Sequence, residues 1–252
     1  MSSDLSRAPE APSLPPDIQA VFFDAGNTLT YLDSDWIVQR LRADGWEIDE
    51  AGLFYGQCVA AYEASRLALL KKYPTDSDRH VPYFMRVLEL AGIPKDFTAE
   101  GAKILLEEHK SRILWRVVTD DVRKTIHELS RRNYTLGVIS NTDGRLKALL
   151  DASGLTEYFR VIVDSRVEGV EKPDPEIFRR AVKAAELEPR QCVYVGDIFA
   201  VDVDGARNAG LTGVLIDPLL LHDEFHCMRI AKLADLLPLL PPLGSSPEQV
   251  PV

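Results

Sequence analysis

The chain has 252 residues, 46% of them hydrophobic and 27% charged, enough to bury one substantial core and a second small one. A count of 29 basic against 39 acidic residues leaves a net charge of −10, which argues against nucleic acid as the main partner. No apolar run is long enough to span a bilayer, no apolar leader opens the chain, and Cys58, Cys192 and Cys227 are scattered and odd in number. These features predict a cytoplasmic enzyme with neither a membrane partner nor a disulfide framework.

In chain order, residues 1–17 are rich in Pro, Ser and Ala and predict a mobile tail, as do residues 243–252 at the other end. The first apolar run, Ala20 to Asp24, predicts a buried strand ending on a carboxylate, with Gly26, Asn27 and Thr28 just beyond. Residues 34–118 then read as an insertion of helix. Its longest segment, Asp49 to Tyr73, carries Leu53, Phe54, Val59, Ala60, Leu67 and Leu70 on a broadly helical period. Four further strands follow: Thr135–Ser140, Val161–Asp164, Cys192–Gly196 and Gly213–Asp217.

Between those strands, Asp121 is positioned to cap one helix, Asp174-Pro175 opens another, and Gly210 closes a third. Strand and helix alternating in this way predict an α/β fold with a doubly wound, Rossmann-like parallel sheet. The core takes residues 18–33 and 117–242, and a smaller helical domain takes 34–116, with linkers near 33–36 and 116–119. The cluster His222, Asp223, Glu224, His226 and Cys227 lacks the spacing of a closed zinc site and reads as a surface connection.

A parallel sheet delivers the C-terminal ends of its strands to one edge, where open α/β sheets bind ligands. Here that edge receives Asp24, the pair Ser140-Asn141, Lys172 ahead of Pro173, and Gly196-Asp197 with Asp202 five positions on. Two strand-end carboxylates offer the hard oxygens that magnesium prefers, and a lysine beside them balances the charge that phosphate would add. The combination points to a phosphate and metal site.

The order and spacing of these segments resemble the haloacid dehalogenase-like hydrolase superfamily, over a stretch from about Val21 to about Leu240. The resemblance implies a Mg2+-dependent phosphatase acting on a small phosphorylated molecule. By this resemblance Asp24 is the nucleophile that forms a phosphoaspartate, and Thr28, Ser140, Asn141 and Lys172 contact the substrate. Asp24, the Gly26 carbonyl and Asp197 hold the metal, Asp202 supports them from behind, and the helical insertion is a cap over the site.

One position departs from the pattern. Most family phosphatases carry a second Asp two residues after the nucleophile, where this chain has Gly26. That Asp protonates the leaving oxygen and later deprotonates water, a role worth about 10²- to 10⁴-fold. Three ways out are a leaving group that needs no proton, a replacement acid such as Asp33 or Asp35, or binding without turnover. Dehalogenases of the family also lack the second Asp but generally do not keep the acidic fourth motif, and phosphonatases, which share a small residue at this position and use magnesium, require a particular cap lysine that the sequence does not identify. Tyr62, Arg66, Lys71, Lys72, His80 and Arg86 are the insertion's polar candidates for substrate contact.

Overall fold

The computed structural model describes residues 14–73 and 75–244. Strand β1 (Ala20–Phe23) leads through a tight loop to β2 (Tyr31–Leu32), followed by helices α1 (Ser34–Ala43), α2 (Glu50–Leu69), α3 (Asp76–Leu90) and α4 (Thr98–Ser111). The chain returns through β3 (Trp115–Val117) and continues as α5 (Asp120–Arg131), β4 (Thr135–Ser140), α6 (Leu146–Ser153), β5 (Val161–Asp164), α7 (Ser165–Glu168) and α8 (Pro175–Ala185). It ends with β6 (Cys192–Gly196), a π-helical turn at Phe199–Val203, α9 (Asp204–Asn208), β7 (Thr212–Ile216) and β8 (Met228–Ile230).

Six strands form one parallel sheet in the order β5-β4-β1-β6-β7-β8. The four residues of β1 are all buried because both of its faces are covered. Val21 and Phe23 join the cluster built with Val122 and Ile126 of α5 and Leu146 and Leu150 of α6. Ala20 and Phe22 join Ile177, Phe178 and Ala181 of α8 on the other face. Burying a side chain such as Phe22 or Phe23 contributes roughly 1.5–3 kcal/mol, so this short strand anchors the sheet.

Three short strands fall outside the expected set. β2 and β3 pair antiparallel, Tyr31 with Val117 and Leu32 with Trp115, where the sequence reads as linkers. β8 extends the sheet beyond β7. Between β2 and β3, helices α1–α4 surround their own apolar cluster, including Leu41, Leu53, Phe84, Leu88 and Leu105. α2 lies very close to α3: a Cβ on Gly52 would sit 2.6 Å from the Leu90 carbonyl oxygen, and one on Gly56 2.8 Å from that of Val87. Phe54 and Leu70, expected on the buried stripe of this helix, are exposed.

The helix boundaries follow side-chain capping. Asp174 accepts from the Glu176 backbone N–H and Pro175 starts α8, as expected. Thr119, not Asp121, caps α5, its hydroxyl accepting from Val122 N–H while Asp120 and Asp121 sit in the first turn. Gly210, at φ +90°, follows the end of α9. The predicted tails, residues 1–17 and 243–252, lie largely outside the described residues; within them, Leu14 and Leu243 pack against the core. No helix among the described residues is long and apolar enough to cross a membrane.

Candidate active site

With β1 between β4 and β6, the three strand ends that carry Asp24, Ser140 and Asp197 lie side by side. They open into a cavity of about 870 Å³, roofed by residues of α3, α4 and β3. Asp24, Gly26, Asn27, Ser140, Asn141, Lys172, Asp197 and Asp202 all line it.

Lys172 is the electrostatic centre. It is 2% exposed, and its Nζ donates to Asp24 Oδ1, Asp202 Oδ1 and the Tyr194 hydroxyl, each at 2.7 Å. Burial disfavours its charge, yet the adjacent carboxylates of Asp202 and Asp24 hold the ammonium protonated above its ordinary range. Asp24 also takes a hydrogen bond from Ser140; burial nevertheless lifts its carboxyl above the usual value, against the pull of Lys172. Asp197 is pushed well up, by burial first and then by Asp202 and Asp24.

Three carboxylates against one ammonium leave the site short of positive charge. Ligand oxygens of Asp24, Asp197 and Asp202 lie within 4.8 Å of one another, a donor set of hard oxygens that fits magnesium. Both Asp202 oxygens are already engaged, Oδ1 by Lys172 and Oδ2 by the Ile198 N–H at 2.9 Å. The Gly26 carbonyl takes no part in the loop's own hydrogen bonds, which run to Ala25 and Thr30 oxygens.

Local structure explains how Asp202 reaches back. The π-helical turn at Phe199–Val203 widens the backbone just after β6, a device frequent at functional sites. A Cβ on Gly196 would lie 2.3 Å from Asp202 Cγ, so the carboxylate approaches only because that residue is glycine.

Other predicted contacts are placed differently. The Asn141 amide clamps the Lys172 backbone, donating to its carbonyl at 3.0 Å and accepting from its N–H at 2.8 Å. Thr28 is fully buried beneath the loop with its hydroxyl unpartnered, and it does not line the cavity. Asp33 caps α1 and pairs with Arg112 at 2.5 Å, and Asp35 lies in the first turn of that helix. Neither lines the cavity. Of the insertion's six polar candidates only His80 does; Tyr62 instead donates to Glu224 at 2.7 Å, and Arg86 pairs with Glu63 and Glu89. His222, read as part of a surface connection, is buried with Nδ1 3.0 Å from Asp217.

Sequence reasoning missed the residues around Asn27. Its amide nitrogen donates to Asp197 Oδ2 at 2.9 Å and to the Tyr83 hydroxyl at 3.1 Å, and its oxygen accepts from Trp115 Nε1 at 3.0 Å. Trp115 also lies over Gly26, where a Cβ would meet the indole at 3.5 Å, an ordinary contact. On α3, Asp76, Arg79, His80 and Tyr83 recur at helical spacing and all face the cavity, a stripe visible in the sequence only once α3 is known to roof the site.

A doubly wound parallel sheet with a strand-end aspartate, a buried lysine and an acidic cluster defines a hydrolase of the α/β class. The haloacid dehalogenase-like hydrolase family model matches residues 18–210, and the chain belongs to that family. A human protein called haloacid dehalogenase-like hydrolase domain-containing protein 3 is 31% identical over 82% of this chain and 87% of its own length. The glyceraldehyde 3-phosphate phosphatase of Pyrococcus furiosus is 30% identical over 78% of this chain and 80% of its own. Among solved structures, a HAD-hydrolase of Bacillus subtilis bound to magnesium, YfnB, superposes with a TM-score of 0.62 at 20% identity, covering 88% of this chain and 98% of its own; it shares the fold.

Proposed function

We propose that the protein is a magnesium-dependent phosphatase of a small phosphorylated metabolite, working through a phosphoaspartate at Asp24. The observation that carries this reading is the buried Lys172 ammonium held at 2.7 Å from both Asp24 and Asp202, with Asp197 in the same cluster. A dehalogenase needs no such acidic cluster. In this reading an Asp24 oxygen attacks phosphorus, the bond to the leaving oxygen breaks, and water then attacks phosphorus to release phosphate and restore Asp24.

Lys172 and the Ser140 hydroxyl bind and orient the phosphoryl oxygens, while Asn141 fixes the lysine backbone. Asp24, Asp197 and the Gly26 carbonyl are the residues that would hold magnesium, which when bound neutralises the charge of phosphate beside two carboxylates. Helices α1–α4 serve as the cap, and a cavity of about 870 Å³ beneath α3 and α4 suits a small molecule. The phosphatase name of the Pyrococcus relative supports the same substrate size. Three free cysteines suit the reducing cytoplasm.

Phosphate release from a panel of small monoesters that includes glyceraldehyde 3-phosphate, with magnesium or EDTA, tests the reading. Asp24→Asn is expected to lower turnover by about 10⁴-fold or more, as loss of a nucleophile does. Metal-independent halide release from 2-chloropropionate, with no phosphate released, would replace the phosphatase by a dehalogenase.

A further inference from the structure

Gly26 leaves the leaving-group oxygen without the proton donor the family usually places there, and Asp33 and Asp35 are turned away from the cavity. The donor therefore has to come from elsewhere on the wall. Four roof side chains with a proton to offer line the cavity: Lys110, whose exposed ammonium is paired with Glu107, and Tyr83, His80 and His109.

Of the three that are not already paired at the surface, Tyr83 and His109 are poor acids. Burial pushes the Tyr83 phenol far above its ordinary range, so it keeps its proton, and its oxygen accepts from the Asn27 amide. His109 accepts the Leu114 N–H at Nδ1, 3.2 Å away, and burial with the Arg145 charge lowers its proton affinity below that of a free imidazole.

His80 differs in its partner. Its Nε2 lies 3.0 Å from Asp76 Oδ2, one helical turn back. Asp76 is itself fixed: its other oxygen takes Arg79 Nη2 at 3.3 Å, and its backbone N–H donates to Glu171 Oε1 at 3.4 Å, next to Lys172 in sequence. The start of α3 is thereby tethered beside the catalytic ammonium. Around His80 stand Asp76 and Arg79 of its own helix, Asp143 from the loop after β4, and His109 at the end of α4. Burial works against its charge, but the Asp76 hydrogen bond and charge win and raise its proton affinity above that of a free imidazole, the opposite direction from His109.

Resting on the phosphatase reading, we propose that His80, oriented by Asp76 through Nε2, is the general acid that replaces the carboxyl missing at Gly26. As Asp24 attacks phosphorus and the bond to the leaving oxygen breaks, His80 Nδ1–H passes its proton to that oxygen, which departs as the neutral alcohol. The imidazole left behind takes a proton from the water that attacks the phosphoaspartate, so one cycle consumes one water and returns both residues to their starting states. Asp76 is a positioning residue in this scheme.

The test is single-turnover release from two esters with enzyme in excess and magnesium present: glycerol 3-phosphate, whose alkoxide needs a proton, and p-nitrophenyl phosphate, whose phenolate does not. His80→Gln is expected to slow glycerol release by about 10²-fold or more while changing p-nitrophenol release less than about threefold. Asp76→Asn is expected to give a smaller selective loss and to move the alkaline limb of the glycerol pH profile to lower pH, because the imidazolium loses its anionic partner. Equal loss on both esters in His80→Gln, or no loss on either, overturns the assignment, as does a wild-type enzyme that cleaves only the activated ester. If neither ester gives Asp24-dependent release, the phosphatase reading fails, and this one with it.

Discussion

Replacing Lys172 by Met removes a charge and keeps an unbranched chain of similar reach, so it isolates the electrostatics of the buried cluster. At 2.7 Å from each carboxylate, the gross attraction is about 6 kcal/mol per contact for an effective dielectric of about 20. Desolvating the ammonium offsets much of that, and removing one partner of a buried pair costs about 3–5 kcal/mol net. The loss depends on pH in a defined direction. Asp24 and Asp197 already sit above the ordinary carboxylate range, so their contribution to stability is complete below that range and is lost as pH rises through the raised values. Without Lys172 the Asp24 shift grows, and the folded variant binds an extra proton that the unfolded chain has released.

Urea unfolding followed by tryptophan fluorescence in EDTA is therefore expected to show Lys172→Met destabilised by about 3–5 kcal/mol near pH 8. The difference should shrink by up to about 1.4 kcal/mol for each pH unit of acidification, the slope of one proton. A difference below about 1 kcal/mol near pH 8, or one that does not change with pH, would refute the account of Lys172 as the counter-charge of the site.

Two further substitutions probe the local architecture. Gly196→Ala puts a Cβ 2.3 Å from Asp202 Cγ and is expected to cost about 1–3 kcal/mol in urea melts, as overpacking does. Unchanged stability there would mean that Asp202 does not need its close approach. Asp33→Ala removes the α1 cap and the Arg112 pair, so it should cost about 0.5–2 kcal/mol while leaving glycerol 3-phosphate turnover intact. A selective loss of that turnover would make Asp33 the missing acid after all.

Much of the architecture was legible in the chain because strands buried on both faces need unbroken apolar runs. Ala-Val-Phe-Phe ahead of Asp24 and Cys-Val-Tyr-Val-Gly ahead of Asp197 admit few other readings. Strand ends of a parallel sheet share one edge, so Asp24, Ser140 and Asp197 could be grouped before any coordinates. Lys172 was legible through its Glu-Lys-Pro-Asp-Pro context, and Asp202 through its spacing from Asp197. β2, β3 and β8 escaped because strands of two or three residues leave no period to detect.

What lay outside the sequence was every contact between segments distant along the chain. Nothing in the order of residues tells that Asn27 joins Asp197 to Tyr83 and Trp115, or that Asn141 serves the Lys172 backbone. Asp33 and Asp35 stood close to Gly26 in sequence, yet the chain turns at Thr30 into β2 and carries both away from the cavity. His80 stood far off and was brought to the cavity wall by α3. The sequence by itself determined the fold class and the charges at the sheet edge, because periodicity and strand-end position are local properties. The packing of α3 over that edge decided which groups face the cavity, because a side chain's neighbours across a cavity are set by how helices dock and not by their order along the chain.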